Sequence, residues 1–201
     1  MKIIVVGATG TIGSAVTEEL EKRHDIVKVG QSHGDINVDI TDSASIQQMY
    51  EEVLTFDAVV SATGSAYFGP FDEIDEEQFN LGIRSKLLGQ INLVLLGLEY
   101  IDDGGSFTLT SGILSEDPVP GGAMLSMVNA AIDGFVTGAA IELPRGIRLN
   151  SVSPEVVQES MDKLGAYFRG HNPVPAEKVA LAYSKSVEGK LTGKTFRVGG
   201  G

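Results

Sequence analysis

The feature that most constrains this chain is a glycine-rich turn directly after its first apolar run. Residues 2–6 read Lys-Ile-Ile-Val-Val, Gly7, Gly10 and Gly13 follow at even spacing, and an amphipathic segment begins at once. A strand, a tight turn and a helix start in this order bring backbone N–H groups and a helix N-terminus together. Because side chains are missing where these groups meet, the junction predicts a positively polarised hollow that suits a pyrophosphate.

Each glycine of this turn has an expected task. Gly7 allows the tight turn, Gly10 lets the backbone approach the phosphates, and Gly13 lets the helix lie close on the strand. The alternative interpretation is an ordinary flexible loop between a strand and a helix. In the first interpretation the residues between the glycines also contact the cofactor: Thr9, Thr11 and Ile12.

Composition excludes several classes of protein. The 201 residues contain no cysteine, so neither a disulfide framework nor a thiolate zinc site is available. His24, His33 and His171 are scattered without the spacing of metal ligands, and we predict no metal site. A formal net charge of −12 argues against a nucleic-acid partner, since neutralising phosphates requires clustered Lys and Arg.

The apolar segments do not predict a membrane protein or an exported one. The most apolar long stretch, 121–141, contains Asn129 and Asp133, which a membrane span tolerates badly. The apolar run at the N-terminus is too short for a signal peptide. We therefore expect a cytoplasmic protein with no membrane partner.

Short β-branched runs alternate with longer helical periods along the whole chain. This alternation predicts a doubly wound α/β domain, with a parallel Rossmann-type sheet in a three-layer α/β/α arrangement. No linker divides the sequence, so we expect one domain over 1–201, with a mobile flap over a site at 153–175. Strands are expected at 2–6, 26–30, 35–38, 57–61, 105–110, 147–152 and 194–198. Helices are expected at 12–23, 43–54, 75–99, 122–143 and 176–187.

The order of these motifs resembles the short-chain dehydrogenase/reductase family from Gly7 to the C-terminal run at 191–200. The run at 139–154, which ends in Asn-Ser-Val-Ser-Pro, is the most specific match. The resemblance implies a Rossmann-type fold, a nicotinamide dinucleotide cofactor, a small-molecule substrate and, for Pro154, a position beside that cofactor.

Two further motifs resemble cofactor contacts of the same family. The run Val-Asp-Ile-Thr-Asp at 38–42 is similar to the acidic motif that contacts the adenine, which implies this role for Asp39 and Ile40. Both aspartates of the run are also good helix caps, and we expect Asp42 to cap the next helix while Asp39 contacts the adenine. Residues Ala62, Thr63 and Gly64 stand where the family has its Asn-Ala-Gly turn.

The residues after the second strand bear on the choice of coenzyme. An NAD-specific site places a carboxylate there to hold the ribose hydroxyls, but this chain has Gln31, Ser32 and His33 after Gly30. Without that carboxylate a 2′-phosphate is not repelled, and Gln31 and Ser32 can donate hydrogen bonds to it. We expect NADP(H) to be preferred, with NAD(H) left open because Asp35 is near and no arginine stands at this place.

The expected catalytic pair is missing. Carbonyl reduction needs a proton donor close to the substrate oxygen, and the family uses a Tyr whose pKa is lowered by a Lys four residues on. Matching the helix places these two positions at Leu125 and Asn129, and no tyrosine lies between Tyr100 and Tyr167. After Pro154, where the family usually has Gly, this chain has a glutamate.

Three polar residues remain as candidate catalytic groups. Ser111 resembles the substrate-orienting serine of the family, and its hydroxyl can donate to a carbonyl or an oxyanion. Lys86 stands where the family usually has an asparagine, so the Asn and the Lys are exchanged between positions 86 and 129 in this hypothesis. A desolvated lysine titrates readily and can act as an acid or a base. The alternative is that Lys86 is an ordinary solvated or snorkelling helix residue.

Two functions from different classes follow. The first is an NADP(H)-dependent oxidoreductase that acts on a small carbonyl or alcohol with non-standard site chemistry. The second is a non-catalytic protein that kept the dinucleotide site and works as a sensor or scaffold. Small residues on helix 122–143, among them Gly134 and Gly138, allow close helix packing, and the resemblance implies a homodimer or homotetramer through this helix.

Overall fold

The computed structural model describes residues 1–200 and contains a single seven-stranded parallel sheet. The strand order is β3-β2-β1-β4-β5-β6-β7, and every neighbouring pair is parallel. The predicted doubly wound α/β fold is therefore confirmed. The strands are β1 (Lys2–Val6), β2 (Asp25–Gly30), β3 (Ile36–Asn37), β4 (Phe56–Ser61), β5 (Ile101–Thr110), β6 (Arg148–Pro154) and β7 (Thr195–Val198).

Seven α-helices connect these strands, and the five long predicted helices are all present. They are α1 (Thr11–Leu20), α2 (Ser43–Val53), α3 (Glu76–Leu81), α4 (Gln90–Gly97), α5 (Ala123–Ala139), α6 (Met161–Leu164) and α7 (Ala176–Glu188). Short 3₁₀ turns lie at Phe71–Glu73, Ile113–Ser115 and Gln158–Ser160. The helix expected at 75–99 differs from a regular helix, because α3 and α4 are joined by a π-helical segment, Gly82–Gly89.

Helices cover both faces of the sheet, and each face has its own apolar core. On one face α2, α4 and α5 pack on the sheet through residues such as Tyr50, Leu93 and Ile132, which are fully buried. On the other face α1 and α7 pack on it through residues such as Leu20 and Tyr183. Burial on both faces explains why β1 is a continuous apolar run from Ile3 to Val6 and not an alternating one.

The point between β1 and β4, where the strand order reverses, sets the position of the site. β1 pairs with both β2 and β4, so the connections leaving these strands diverge to opposite faces. In open α/β sheets a ligand crevice lies outside the carboxyl ends of the strands at this point. The glycine turn after β1 and the loop after β4 lie at this crevice.

The segment predicted as a flap, 153–175, runs across the carboxyl end of β6. Val157 and Val174 form an isolated parallel bridge at its base, and Phe168 is buried in a small third apolar cluster with Ile113 and Val156. The mobility of this segment stays a prediction. None of the helices within residues 1–200 has the length and apolar character needed to cross a bilayer.

Candidate functional site

The glycine turn has the tight geometry that its sequence predicts. Gly7 has φ +85°, and a Cβ there would lie 2.5 Å from the carbonyl oxygen of Ala62. At Gly13 a Cβ would lie 1.9 Å from the carbonyl oxygen of Gly7, so only glycine lets α1 begin this close to the end of β1. Gly10 is the N-cap of α1, and its own N–H donates to the carbonyl oxygen of Gly7 over 3.0 Å.

The first turn of α1 has free backbone donors. The N–H groups of Thr11, Ile12 and Gly13 donate to no acceptor within residues 1–200, and no side chain caps the helix. Such groups, together with the positive end of the helix dipole, favour an anion. The turn therefore fits the diphosphate of a dinucleotide.

A cavity of about 250 Å³ opens beside Gly7, between the ends of β1, β2 and β4. Six of the predicted cofactor residues line it: Gly7, Gln31, Asp39, Ile40, Thr63 and Gly64. Sequence reasoning missed Thr41, Ser65, Leu81 and Ser85, which line it too. The last two come from α3 and the π-helical segment. The remaining predicted residues of this group lie outside its lining: Thr9, Gly10, Thr11, Ile12, Gly13, Ser32, Ala62 and Pro154.

The two aspartates of the acidic motif have different roles in the structure. Asp42 caps α2, as expected, because its Oδ1 accepts from the N–H of Ala44 over 2.9 Å. Asp39 lines the cavity, and its Oδ1 accepts from both the hydroxyl and the N–H of Thr41. These hydrogen bonds lower the pKa of Asp39, so the carboxylate stays charged at the cavity wall.

The end of β2 places Gln31 at the cavity and the nearby carboxylate away from it. Asp35 is tied to the edge of β2, since its Oδ2 accepts from the N–H of Lys28 over 2.8 Å. Ser32 is exposed, and its hydroxyl lies 2.9 Å from Nδ1 of His33. No Lys or Arg side chain is among the residues that line this cavity in the described part of the chain.

A second cavity, of about 260 Å³, lies at the carboxyl ends of β5 and β6. Four of the predicted site residues line it, namely Ser111 and Asn129 of the catalytic group and Ile12 and Pro154 of the cofactor group, and Leu125 lines it one helical turn before Asn129. The flap segment covers it with Val156, Val157, Ser160, Leu164 and Phe168. We call this space the Ser111 cavity.

The polar groups of the Ser111 cavity are only loosely held. The hydroxyl of Ser111 lies 3.5 Å from the carbonyl oxygen of Val152, at the limit of a hydrogen bond. Asn129 donates from Nδ2 to the carbonyl oxygen of Gly112 over 3.3 Å, whereas its Oδ1 is buried without a partner in residues 1–200. The Ser111 hydroxyl is therefore free to hydrogen-bond a ligand, whereas Oδ1 of Asn129 is an unpaired acceptor that is sealed from solvent.

Lys86 is buried and is not among the residues that line either cavity. Its side chain is close to Gly64, where a Cβ would lie 3.2 Å from Lys86 Cγ, and its Nζ donates to the carbonyl oxygen of Thr110 over 3.3 Å. Burial lowers the pKa of Lys86 to about 8, and the charge of Asp133 opposes this shift. The ammonium thus contacts the carbonyl of Thr110, the residue directly before Ser111. Because Lys86 is buried, the alternative that it is an ordinary solvated helix residue is wrong.

Gln90 fixes the strand that carries Ser111. Its side chain accepts from the N–H of Thr110 over 2.8 Å and donates to the carbonyl oxygen of the same residue over 2.9 Å. The π-helical segment places Lys86 one turn before Gln90, so both side chains reach the same carbonyl.

Among residues 1–200 no three His, Asp or Glu side chains are grouped so as to hold a metal ion.

Comparison with known proteins assigns the family. Residues 6–179 match the family model described as enoyl-(acyl carrier protein) reductase. The chain belongs to the short-chain dehydrogenase/reductase family.

Curated relatives and solved structures agree with this assignment. Hydroxynaphthalene reductase arp2 of Aspergillus fumigatus is 27% identical over 82% of this chain and 69% of its own length. L-xylulose reductase of Mesocricetus auratus is 24% identical over 100% of this chain and 95% of its own length. The protein lin1944 from Listeria innocua is 55% identical with a TM-score of 0.97, over 98% and 99% of the two chains. A small-chain dehydrogenase in complex with NADPH is 26% identical with a TM-score of 0.88, over 100% and 97%.

Proposed function

We propose that this protein is an NADP(H)-dependent oxidoreductase that interconverts a small carbonyl compound and its alcohol. The observation that carries the proposal is the position of the glycine turn between the two cavities. Gly7 lines the cavity at the end of β2, and Ile12 lines the Ser111 cavity. A dinucleotide whose diphosphate lies on this turn would place its adenosine half in the first cavity and its nicotinamide half at the second.

NADP(H) is preferred in this proposal for two reasons. Gln31 supplies an uncharged hydrogen-bond donor at the cavity where an NAD site has a carboxylate, and Asp35 is held on β2 by Lys28. A relative of 26% identity was crystallised with NADPH. Since no Lys or Arg lines this cavity within residues 1–200, we expect the discrimination against NAD(H) to be modest.

Bound NADPH would supply a hydride to the carbonyl carbon. Ser111 would donate a hydrogen bond to the carbonyl oxygen, and Asn129 would support this hydrogen bond from the facing helix α5. The alkoxide oxygen formed by hydride addition would take its proton from solvent water to give the alcohol. Lys86 would act through β5, because its ammonium holds a proton beside the Thr110 carbonyl with a pKa of about 8. It is a positioning and electrostatic group in this scheme, since it does not line the Ser111 cavity.

One observation favours the second candidate, a dinucleotide-binding sensor or scaffold. Leu125 presents an apolar side chain to the Ser111 cavity from the helix where the family has its proton donor, and the buried ammonium of Lys86 lies outside that cavity. A protein of this kind would bind NADPH and oxidise none of it. The first candidate predicts turnover.

The experiment that separates the two is a titration with NADPH followed by a screen of small aldehydes and ketones for loss of nicotinamide absorbance. Turnover with at least one carbonyl, lost in Ser111→Ala, supports the oxidoreductase. Tight binding of NADPH with no oxidation across the screen supports the sensor. No binding at all contradicts both.

We also propose a homo-oligomer formed through α5. Gly134 and Gly138 on this helix have open space around them, and Met127 is 37% exposed. On α4 the side chain of Leu95 is 54% exposed. An exposed apolar surface with small residues allows close approach of a second copy.

A further inference from the structure

Glu155 is a buried carboxylate at the wall of the Ser111 cavity. It follows β6 directly, is 3% exposed, and is the one acidic or basic side chain among the described residues that line the cavity. The other lining residues are apolar or carry neutral hydroxyl and amide groups. Burying a carboxylate in such surroundings is costly unless its oxygens are hydrogen-bonded.

Within residues 1–200, only one oxygen of this carboxylate has hydrogen-bond partners. Its Oε1 accepts from the N–H of Val156 over 2.8 Å and from Nδ1 of His171 over 3.0 Å. Because a carboxylate only accepts, Nδ1 of His171 carries the proton of this bond. The imidazole itself is nearly buried and packs edge-on against Phe168, with the ring centroids 5.1 Å apart.

The second oxygen, Oε2, has no donor within residues 1–200. It is also not among the polar atoms that are sealed from solvent without a partner. Gly199 packs directly against the stem of this side chain, since a Cβ at Gly199 would lie 2.8 Å from Cβ of Glu155. Glu155 lines the Ser111 cavity, and Oε2 is the oxygen of its carboxylate that is left without a donor while Oε1 is held by two.

We propose that Oε2 of Glu155 is an acceptor subsite that binds an O–H or N–H donor of the ligand in the Ser111 cavity. The inference deepens the proposed function, on which it rests for the identity of that ligand. The donor has two possible sources of the same chemistry. One is the carboxamide N–H of the nicotinamide, and the other is a hydroxyl or amino group on the substrate.

The test compares neutral probes that differ only in the donor. Nicotinamide is paired with 3-acetylpyridine, and benzyl alcohol is paired with benzyl methyl ether. Each Kd is measured from shifts of the methyl NMR signals of Leu125, Leu164 and Val156, which line the cavity. This readout needs neither turnover nor bound dinucleotide.

The wild-type protein is expected to bind the donor-bearing member of a pair about tenfold more tightly, as for a hydrogen bond to a charged acceptor. In Glu155→Gln the carbonyl oxygen of the amide would stay with the two donors at Val156 and His171. The amide NH₂ would then face the cavity, and the preference is expected to reverse toward 3-acetylpyridine and the ether. Asp162→Asn, which removes an exposed acid from the same segment, should change neither ratio.

A saturating amount of NADPH separates the two sources. If the substrate supplies the donor, benzyl alcohol keeps its advantage over the ether in the presence of NADPH. If the carboxamide supplies it, NADPH abolishes that advantage. Either result supports the subsite.

Ratios near one for both pairs in the wild-type protein would overturn the subsite, whether or not the variant folds. Unchanged ratios in a folded Glu155→Gln protein would overturn it too. Failure of NADPH to bind, with the probe ratios as expected, would contradict the proposed function and leave the acceptor subsite standing.

Discussion

Gly13 contacts the carbonyl oxygen of Gly7 so closely that a Cβ at Gly13 would lie 1.9 Å from that oxygen. This contact sets the distance between β1 and α1, and with it the place where the free N–H groups of α1 point. In Gly13→Ala the helix must shift. We expect a loss of about 2 to 4 kcal/mol in the free energy of unfolding and NADPH binding at least tenfold weaker.

Glu18→Ala is the control for this substitution. Glu18 is an exposed residue of the same helix, α1, so alanine there should leave the stability nearly unchanged. Urea unfolding and a fluorescence titration with NADPH measure both variants. Equal stability and equal affinity of the two would contradict the structural role given to Gly13.

Gln31→Glu should reverse the coenzyme preference. A carboxylate at the wall of the first cavity repels a 2′-phosphate and accepts from the ribose hydroxyls of NADH. We expect Kd for NADPH to rise at least tenfold and Kd for NADH to fall, both measured by calorimetry. Gln158→Glu adds the same charge at an exposed site and should leave both constants as they are. Unchanged selectivity in Gln31→Glu would contradict the position assigned to the ribose.

Ser111→Ala should slow turnover without affecting the coenzyme. The Ser111 hydroxyl is held only by a 3.5 Å contact to the carbonyl oxygen of Val152 and is free to donate to a substrate oxygen. Loss of one such donor costs about a hundredfold in kcat. Steady-state kinetics and an NADPH titration separate the two effects. Ser126→Ala is the control. The Ser126 hydroxyl is buried, has no hydrogen-bond partner within residues 1–200 and does not line the Ser111 cavity, so this variant should keep full activity.

Lys86→Met tests both turnover and stability. We expect turnover to fall at least a hundredfold while Kd for NADPH changes less than threefold, because Lys86 does not line the first cavity. Unchanged turnover in Lys86→Met would remove this residue from the mechanism.

The buried ammonium of Lys86 also predicts a dependence of stability on pH. Burial lowers its pKa from 10.5 to about 8, so between these values the unfolded chain binds more protons than the folded one. The free energy of unfolding of the wild-type protein therefore rises with pH across this window. Compared with Lys86→Met, which lacks the titrating group, the rise amounts to about 3 kcal/mol. Urea unfolding of both proteins at a series of pH values measures this difference. A constant difference from pH 8 to 10.5 would show that the side chain is not desolvated.

Gly134→Arg should separate the subunits of the proposed oligomer. Open space surrounds Gly134, so a single chain accommodates the arginine while a helix packed against it does not. Light scattering after size exclusion should give a smaller mass for this variant than for Gly134→Ala. A wild-type protein that is already monomeric would contradict the proposed assembly.

Much of the fold could be predicted because the local sequence patterns agree with the elements that the whole fold requires. The five long helices and all seven strands follow from apolar periods, and Asp42 at the start of α2 follows from its capping chemistry. The glycine turn could be predicted in detail because Gly7 and Gly13 are required by positive φ and by close backbone contact.

Other features depend on tertiary contacts that the sequence does not encode locally. The π-helical segment at 82–89 has no distinct sequence period, yet it sets the place of Ser85 and Lys86. The partnership of Glu155 with His171 joins residues 16 apart through the fold of the flap segment. A departure from the family pattern at Glu155 was the one signal that pointed to it.

Calorimetric titration with NADPH measures whether the glycine turn binds the diphosphate of a nicotinamide dinucleotide. We expect one site per chain with a Kd in the micromolar range or tighter, and a large loss of affinity in Gly13→Ala. Absence of binding heat at millimolar NADPH, confirmed by unchanged amide NMR signals of Thr11, Ile12 and Gly13, would contradict this role of the glycine turn.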